Sequence, residues 1–362
     1  MAHSIETIEL KSPTPGVSRA LTVHCFKGEQ AGPKVYLQAA LHADEWPGLL
    51  TLQHLLAHLI ACDARGDICG EIVLVPYANP IGMDQRVNGT VIGRHAFSAE
   101  GNFNRNWPDF SAVLAAALDE QPDLSLAQLR EKLQAAVASL SRDTPLQELR
   151  AALLSLSIDA DIVLDLHCDS QALVHLYANY RSKREAQALA GFIHSPVVLL
   201  EDEPGGSPFD AAHIKHWVSL EDRLPLPCFS ATIELRGEAD VSDELAAGDA
   251  KALLAYLASS GALAKQAAPE VEPYVADYVT NLTAMDSVSA PCAGIVCWHK
   301  KLGDSVVKGE LVAEVVDLTA ADPAAGRTPI YSRTSGLLFT KLSATLVGPG
   351  EHLAKIAGFE EL

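Results

Sequence analysis

Along the first 265 or so residues the apolar positions fall into two kinds of run. Short continuous ones, Val35 to Leu41 (VYLQAAL), Ile72 to Pro76 (IVLVP) and Asp161 to Leu166 (DIVLDL), read as strands buried on both faces. Pro196 to Leu200 and Ser230 to Leu235 look the same. Between them, apolar residues recur every three or four positions. Leu49, Leu52, Leu55, Leu56 and Leu59 predict a helix over Pro47 to Ile60, with the proline tolerated in its first turn. Ser111 to Ser157 predicts two or three helices interrupted near Pro145, and Glu244 to Ala264 a final one. Strands alternating with helices imply an α/β domain with a parallel or mixed sheet flanked by helices, carrying a helical insertion at about 111–157.

The pattern changes after Gln266 to Pro273 (QAAPEVEP), which reads as a linker. The expected division is therefore 1–268 and 269–362. In the second part, Gly294-Ile-Val and the Gly303 to Gly309 segment are echoed at Gly336-Leu-Leu and Gly350. Two such copies of short strands and glycine turns predict a small pseudo-symmetric all-β domain. Its glycine pattern resembles biotinyl/lipoyl-type barrel-sandwich domains. Those carry a modified lysine between their halves; Asp317 to Arg327 fills that zone here and contains no lysine, which argues against a swinging-arm carrier.

Charge narrows the partners. With 27 Lys+Arg against 46 Asp+Glu in 362 residues, the formal charge is −19. Nucleic acids and anionic membranes attract basic faces, so neither is expected as a partner. No uncharged apolar run reaches the length of a membrane span. Seven cysteines without a CxxC pair indicate neither a disulfide framework nor a cysteine zinc site, and a cytoplasmic location is expected. A homo-oligomer stays open.

Four constellations carry chemistry. His42-Ala-Asp-Glu45 leaves the Val35 to Leu41 strand, where an imidazole and a carboxylate three residues apart can converge on one metal ion. Asp165-Leu-His167 ends the DIVLDL strand, at the edge where open α/β sheets place their ligands. Asp44, Asp165 and Asp169 are close enough in sequence for one of them to orient an imidazole. Gly101-Asn-Phe-Asn104-Arg105-Asn-Trp-Pro108 offers a planar guanidinium for a carboxylate, and the long loop before it holds Arg86 and Arg94. Glu234 interrupts the late apolar strand in Thr232-Ile-Glu-Leu, a costly place for a carboxylate without a function and a natural one for a general base. His213, His216 and Trp217 read as packing residues, and Cys168 as core rather than nucleophile.

Strand–HxxE, Asn79-Pro80, NxNR-x-WP, strand–DLH and strand–TxE, in this order over about residues 30 to 265, resemble the succinylglutamate desuccinylase/aspartoacylase family, which has a zinc carboxypeptidase-like fold. The resemblance implies one zinc ion per chain on His42, Glu45 and His167. It implies Asn104 and Arg105 as the pair that holds a substrate carboxylate, and Glu234 as general base and then acid. Arg94, or failing that Arg86, would polarise the scissile carbonyl. The implied activity is hydrolysis of the amide bond of a small N-acyl amino acid bearing a free carboxylate. Two other functions fit the same residues or fold: a metallocarboxypeptidase acting on short peptides, and a non-catalytic binding protein.

Overall fold

A computed structural model of the chain describes residues 3–98, 100–202 and 205–362. It is α/β with a mixed sheet and flanking helices, followed by a strand-rich C-terminal region, as the hydrophobic pattern predicts. The chain forms two compact units: residues 1–167, 202–233 and 241–273 in the first, and 168–201, 234–240 and 274–362 in the second.

The strands in chain order are β1 (His3–Leu10), β2 (Arg19–Lys27), β3 (Gln30–Ala39), β4 (Cys69–Val75), β5 (Ile162–Asp169), β6 (His175–Asn179), β7 (Val197–Glu201), β8 (Phe229–Gly237) and β9 (Tyr278–Asn281). In the first unit they lie in the order β1-β2-β4-β3-β5-β8. β3 runs parallel to both β4 and β5, with Val35 level with Ile72 and Ile162. The antiparallel β1–β2 hairpin was not legible as a buried run, because β1 (HSIETIEL) leaves most of its residues exposed.

Seven helices matter for the architecture: α1 (Pro47–Arg65), α2 (Ser111–Glu120), α3 (Leu126–Ala138), α4 (Pro145–Ser157), α5 (Lys183–Ile193), α6 (Phe209–Val218) and α7 (Asp243–Ser259). α1 starts on Pro47, buries Leu52, Leu55, Leu56 and Leu59, and stops at Gly66 in the left-handed conformation. The 111–157 segment is three helices. Pro145 opens α4 rather than kinking a longer helix, and capping boxes at Ser125/Gln128 and Thr144/Gln147 fix the starts of α3 and α4. α7 ends earlier than the sequence pattern predicts, at Ser259, because Gly261 turns the chain at φ +83°. The first unit's core joins these layers through Leu21, Tyr36, Phe103, Trp107, Leu133 and Trp217.

In the second unit, β6, β7 and β9 are mutually parallel neighbours in that order, with α5 packed against β6 and β7. The C-terminal strands are β10 (Met285–Ser289), β11 (Gly294–Trp298), β12 (Ser305–Val306), β13 (Leu311–Val316), β14 (Arg327–Tyr331), β15 (Gly336–Lys341), β16 (Leu346–Val347) and β17 (His352–Ala357). They form two sheets, β10-β17-β15-β12 and β14-β13-β11-β16. Each sequence copy lends its short middle strand to the other copy's sheet: β12 pairs with β15, and β16 with β11. That exchange is the structural form of the glycine repeat. Val296, Val312, Val315, Leu338, Leu353 and Ile356 fill the space between the sheets.

Candidate metal centre

β3 delivers the first two residues. Ala40 takes a left-handed φ of +57° just past the strand, a strained turn that redirects the chain into His42 and Glu45. β5 delivers His167 from the neighbouring parallel strand. One ligating atom from each of His42, Glu45 and His167 lies within 4.8 Å of the other two, and all three side chains are buried.

The three residues form a group that could hold a metal ion. His42 Nδ1 lies 2.9 Å from Glu45 Oε1, and His167 Nδ1 lies 2.6 Å from Glu45 Oε2. The other nitrogen of each ring is also held: His42 Nε2 lies 2.9 Å from Asn102 Oδ1, and His167 Nε2 lies 2.9 Å from Asp165 Oδ2. Asn102 Oδ1 also accepts from the Asn104 backbone N–H at 2.8 Å, which fixes that amide as an acceptor. Each imidazole therefore faces acceptors at both nitrogens, and a neutral ring has only one N–H to give. With the Nε2 proton directed outward, the Nδ1 lone pairs point at the Glu45 carboxylate, where positive charge is stabilised; the Arg94 guanidinium brings some of it, with Nη1 3.3 Å from His42 Nδ1 and 2.9 Å from Glu45 Oε1. The three side chains are also ordinary ligands that could hold a divalent ion.

The titration behaviour has the same cause. Burial pushes Glu45 up, but the imidazoles of His167 and His42 outweigh it and hold the carboxylate well below its usual range. Burial pulls His167 down, while Asp165 and Glu45 overcome that and raise it well above an ordinary histidine. His42 is lowered, by burial above all.

Asp165 is the acceptor that orients His167. Its second oxygen takes a 3.0 Å hydrogen bond from Gln38 Nε2, and Gln38 Oε1 takes a 2.8 Å bond from the Tyr36 hydroxyl. Asp210, on α6, shares this interior: burial first and the Asp165 charge second push it up to about 6. Its Oδ1 meets no donor among the described residues. Asn102, Gln38 and Asp210 were absent from the predicted set. Only Asn102 had a local signal, since it lies inside the NFNR motif.

The long loop after Asn79 is ordered by the buried side chain of Gln85, which donates to the carbonyls of Ile92 (2.8 Å) and His95 (2.7 Å) and accepts from the Phe97 N–H. Gly93 packs on the HADE turn, where a Cβ would fall 2.6 Å from that of Ala43. Arg94 is thereby brought to the centre, its Nη1 2.9 Å from Glu45 Oε1. Arg86 stays exposed on a two-residue strand.

Asn104 is buried; its Oδ1 accepts from the Phe209 N–H at 2.7 Å, and its Nδ2 lies 3.4 Å from His167 Nε2. Arg105 follows on a loop pinned by Asn106 N–H to Gly206 O (2.7 Å) and by Arg150 Nη2 to the Arg105 carbonyl (2.8 Å). Glu234 lies half-buried on β8, in the second unit. There its charge acts on Lys355 and Tyr177. His213 and His216 are buried packing residues whose Nδ1 atoms bond backbone carbonyls, and Cys168 is buried.

The chain has relatives among curated proteins and solved structures. The chain is 25% identical over 337 residues to the N-alpha-acetyl-L-2,4-diaminobutyric acid deacetylase of Halomonas elongata, covering 90% of this chain and 82% of that one. A succinylglutamate desuccinylase/aspartoacylase family protein from Shewanella amazonensis superposes with a TM-score of 0.87 at 25% identity, over 98% of both chains. The ectoine utilization protein EutE (DoeB) of Ruegeria pomeroyi shares the fold, with a TM-score of 0.67 at 20% identity over 99% of this chain and 95% of that one. Residues 31–260 match the model of the succinylglutamate desuccinylase/aspartoacylase catalytic domain, and the chain belongs to that family.

Proposed function

We propose that this protein is a zinc-dependent hydrolase that cleaves the amide bond of a small N-acyl amino acid with a free carboxylate. The observation that carries the reading is the buried His42–Glu45–His167 set with both imidazoles turned to one carboxylate and held from behind. His42, Glu45 and His167 would hold a zinc ion, which would supply Lewis acidity towards water and the scissile carbonyl.

The chain's own residues do the rest. Glu234 takes the proton of the attacking water and returns it to the departing amine. The Arg94 guanidinium, half-exposed beside Glu45, donates to the carbonyl oxygen as negative charge develops on it. Arg105 and Asn104 hold the substrate carboxylate, which fixes the amide in one orientation and removes the entropic cost of finding it. The Halomonas relative makes N-acetyl-L-2,4-diaminobutyrate the first substrate to try, beside N-acetyl-L-aspartate, N-succinyl-L-glutamate and a dipeptide. No helix among the described residues is long and apolar enough to cross a membrane.

Metal analysis with kinetics tests the reading. About one zinc per chain is expected, lost in His42→Ala/His167→Ala. Glu234→Gln should keep the zinc and lose about 100-fold or more in kcat. A wild-type protein that takes up no divalent metal refutes the hydrolase and favours a binding protein; faster cleavage of the dipeptide than of every acyl amino acid favours a carboxypeptidase.

A further inference from the structure

The helical insertion grips the NFNR loop at two points, both from the first half of α4. Thr144, which caps the helix, donates its hydroxyl to Glu100 Oε1 at 2.6 Å, just before Gly101. Arg150 donates from Nη2 to the Arg105 carbonyl at 2.8 Å, at the other end of the motif.

That carbonyl depends on its donor. Asn106 takes a left-handed φ of +60° and its N–H bonds the Gly206 carbonyl at 2.7 Å, so the chain turns directly after Arg105. No helix or strand ladder supplies a partner at such a turn, and Arg150 does. The Arg105 guanidinium in turn takes its direction from the main chain. Its Nη1 donates to the Asn104 carbonyl at 2.7 Å, and its stem lies against Gly206, where an added Cβ would fall 2.5 Å from Arg105 Cδ.

Arg150 differs from the other arginines of the insertion. Arg130 and Arg142 pair with Asp161 and Glu148 at 2.6 and 2.9 Å. Arg150 instead spends its donor on the Arg105 carbonyl and lies over the Trp107 ring, 5.7 Å from its centre. Trp107 meets Phe209 edge-on at 4.8 Å, and the Phe209 N–H is the 2.7 Å donor to Asn104 Oδ1. Arg150 thus touches the backbone of one member of the Asn104–Arg105 pair and the aromatic support of the other.

We infer that Arg150, supplied by the helical insertion, is a positioning residue for Arg105, and that the insertion thereby sets how the substrate carboxylate is held. The inference rests on Arg105 binding that carboxylate. The competing role is purely structural: Arg150 would tie α4 to the loop and leave substrate binding untouched.

The two are separated with full-length, metal-loaded protein, using whichever of N-acetyl-L-2,4-diaminobutyrate and N-acetyl-L-aspartate the wild type cleaves faster. Arg150→Met is expected to raise KM about 10-fold with kcat within about threefold, as loss of a binding contact does, and Arg150→Lys, which keeps a donor and a charge, to raise it about threefold. Arg105→Ala should raise KM about 30-fold, and adding either Arg150 substitution to it should change KM less than about twofold. That coupling supports the inference. Wild-type KM in Arg150→Met, or an equal rise with and without Arg105, overturns it. Should Arg150→Met alone fail to fold, Arg150→Lys decides by the same comparison. A collapsed melting temperature in both makes the arginine structural and overturns the inference. An Arg105→Ala enzyme that keeps the wild-type KM overturns the carboxylate assignment instead, whatever the Arg150 variants do.

Discussion

Replacing Asp165 by asparagine tests how the candidate metal centre is held. The carboxylate accepts from two buried donors, Gln38 Nε2 on one oxygen and His167 Nε2 on the other. An amide has one acceptor and one donor. After Asp165→Asn, one of the two N–H groups faces another N–H, or His167 moves its proton to Nδ1, the nitrogen that turns towards Glu45. Leaving a buried donor unmatched costs about 1–3 kcal/mol of stability. Losing the acceptor behind a metal-ligating histidine costs about 10–100-fold in metal affinity, which is about 1.4–2.7 kcal/mol. Competition with a chromophoric chelator gives the zinc affinity, and urea unfolding of the metal-free protein gives the stability.

The same geometry names a repair. In Asp165→Asn/Gln38→Glu, the new amide donates to the new carboxylate and keeps its oxygen for His167, while the Tyr36 hydroxyl retains its acceptor. Most of the stability and at least half of the logarithmic loss in affinity should return. Unchanged zinc affinity in Asp165→Asn, or a double variant worse than the single one in both assays, would refute the assignment of Asp165 as the group that orients His167.

Three further outcomes are expected. Arg94→Ala should lower kcat about 100-fold, whereas Arg86→Ala should stay within twofold, since Arg86 is exposed and makes a long 3.5 Å bond to the Gly89 carbonyl in its own hairpin; equal losses would reject Arg94 as the carbonyl-polarising group. Gly206→Ala puts a Cβ 2.5 Å from Arg105 Cδ at a φ of +79°, so it should cost about 1 kcal/mol in stability and raise KM more than it lowers kcat, and an unchanged KM would remove Arg105 from substrate binding. Asp210 has its folded value raised to about 6 from an ordinary 3.8, so between those pH values the folded chain keeps a proton that the unfolded chain has released. Stability of the metal-free protein then falls by about 3 kcal/mol as pH rises through that window, and Asp210→Asn should abolish this part of the pH dependence in parallel urea titrations at pH 4 and pH 7; identical slopes would refute it.

Much of this molecule is legible in one dimension. Runs such as DIVLDL and the leucine spacing of α1 declare themselves because burial repeats with the period of the local backbone. His42 and Glu45 are three positions apart on one turn, and His167 lies near the end of a buried strand, just past its pairing with β3, so their convergence depends on two parallel strands running side by side. The capping residues at Ser125 and Thr144 likewise act within four residues.

Where the sequence stops short, the deciding contacts are made by tertiary closure. The sequence ranks Arg94 ahead of Arg86 only by its place before the NFNR motif, and it is the Gln85 side chain folding the loop on itself that brings Arg94 to Glu45 and leaves Arg86 outside. Gln38 and Asp210 look ordinary until the strands and α6 close around Asp165, and Asn102 until its loop meets His42. Lys355 stands 186 residues from Asp169, a partner that no local pattern could name. Local periodicity and spacing determine which segments are strands and helices and which residues each can present. Which side chains then meet, and hence their charge states, is set by long-range chain closure, because a buried charge takes its partners from whatever backbone the tertiary fold lays beside it.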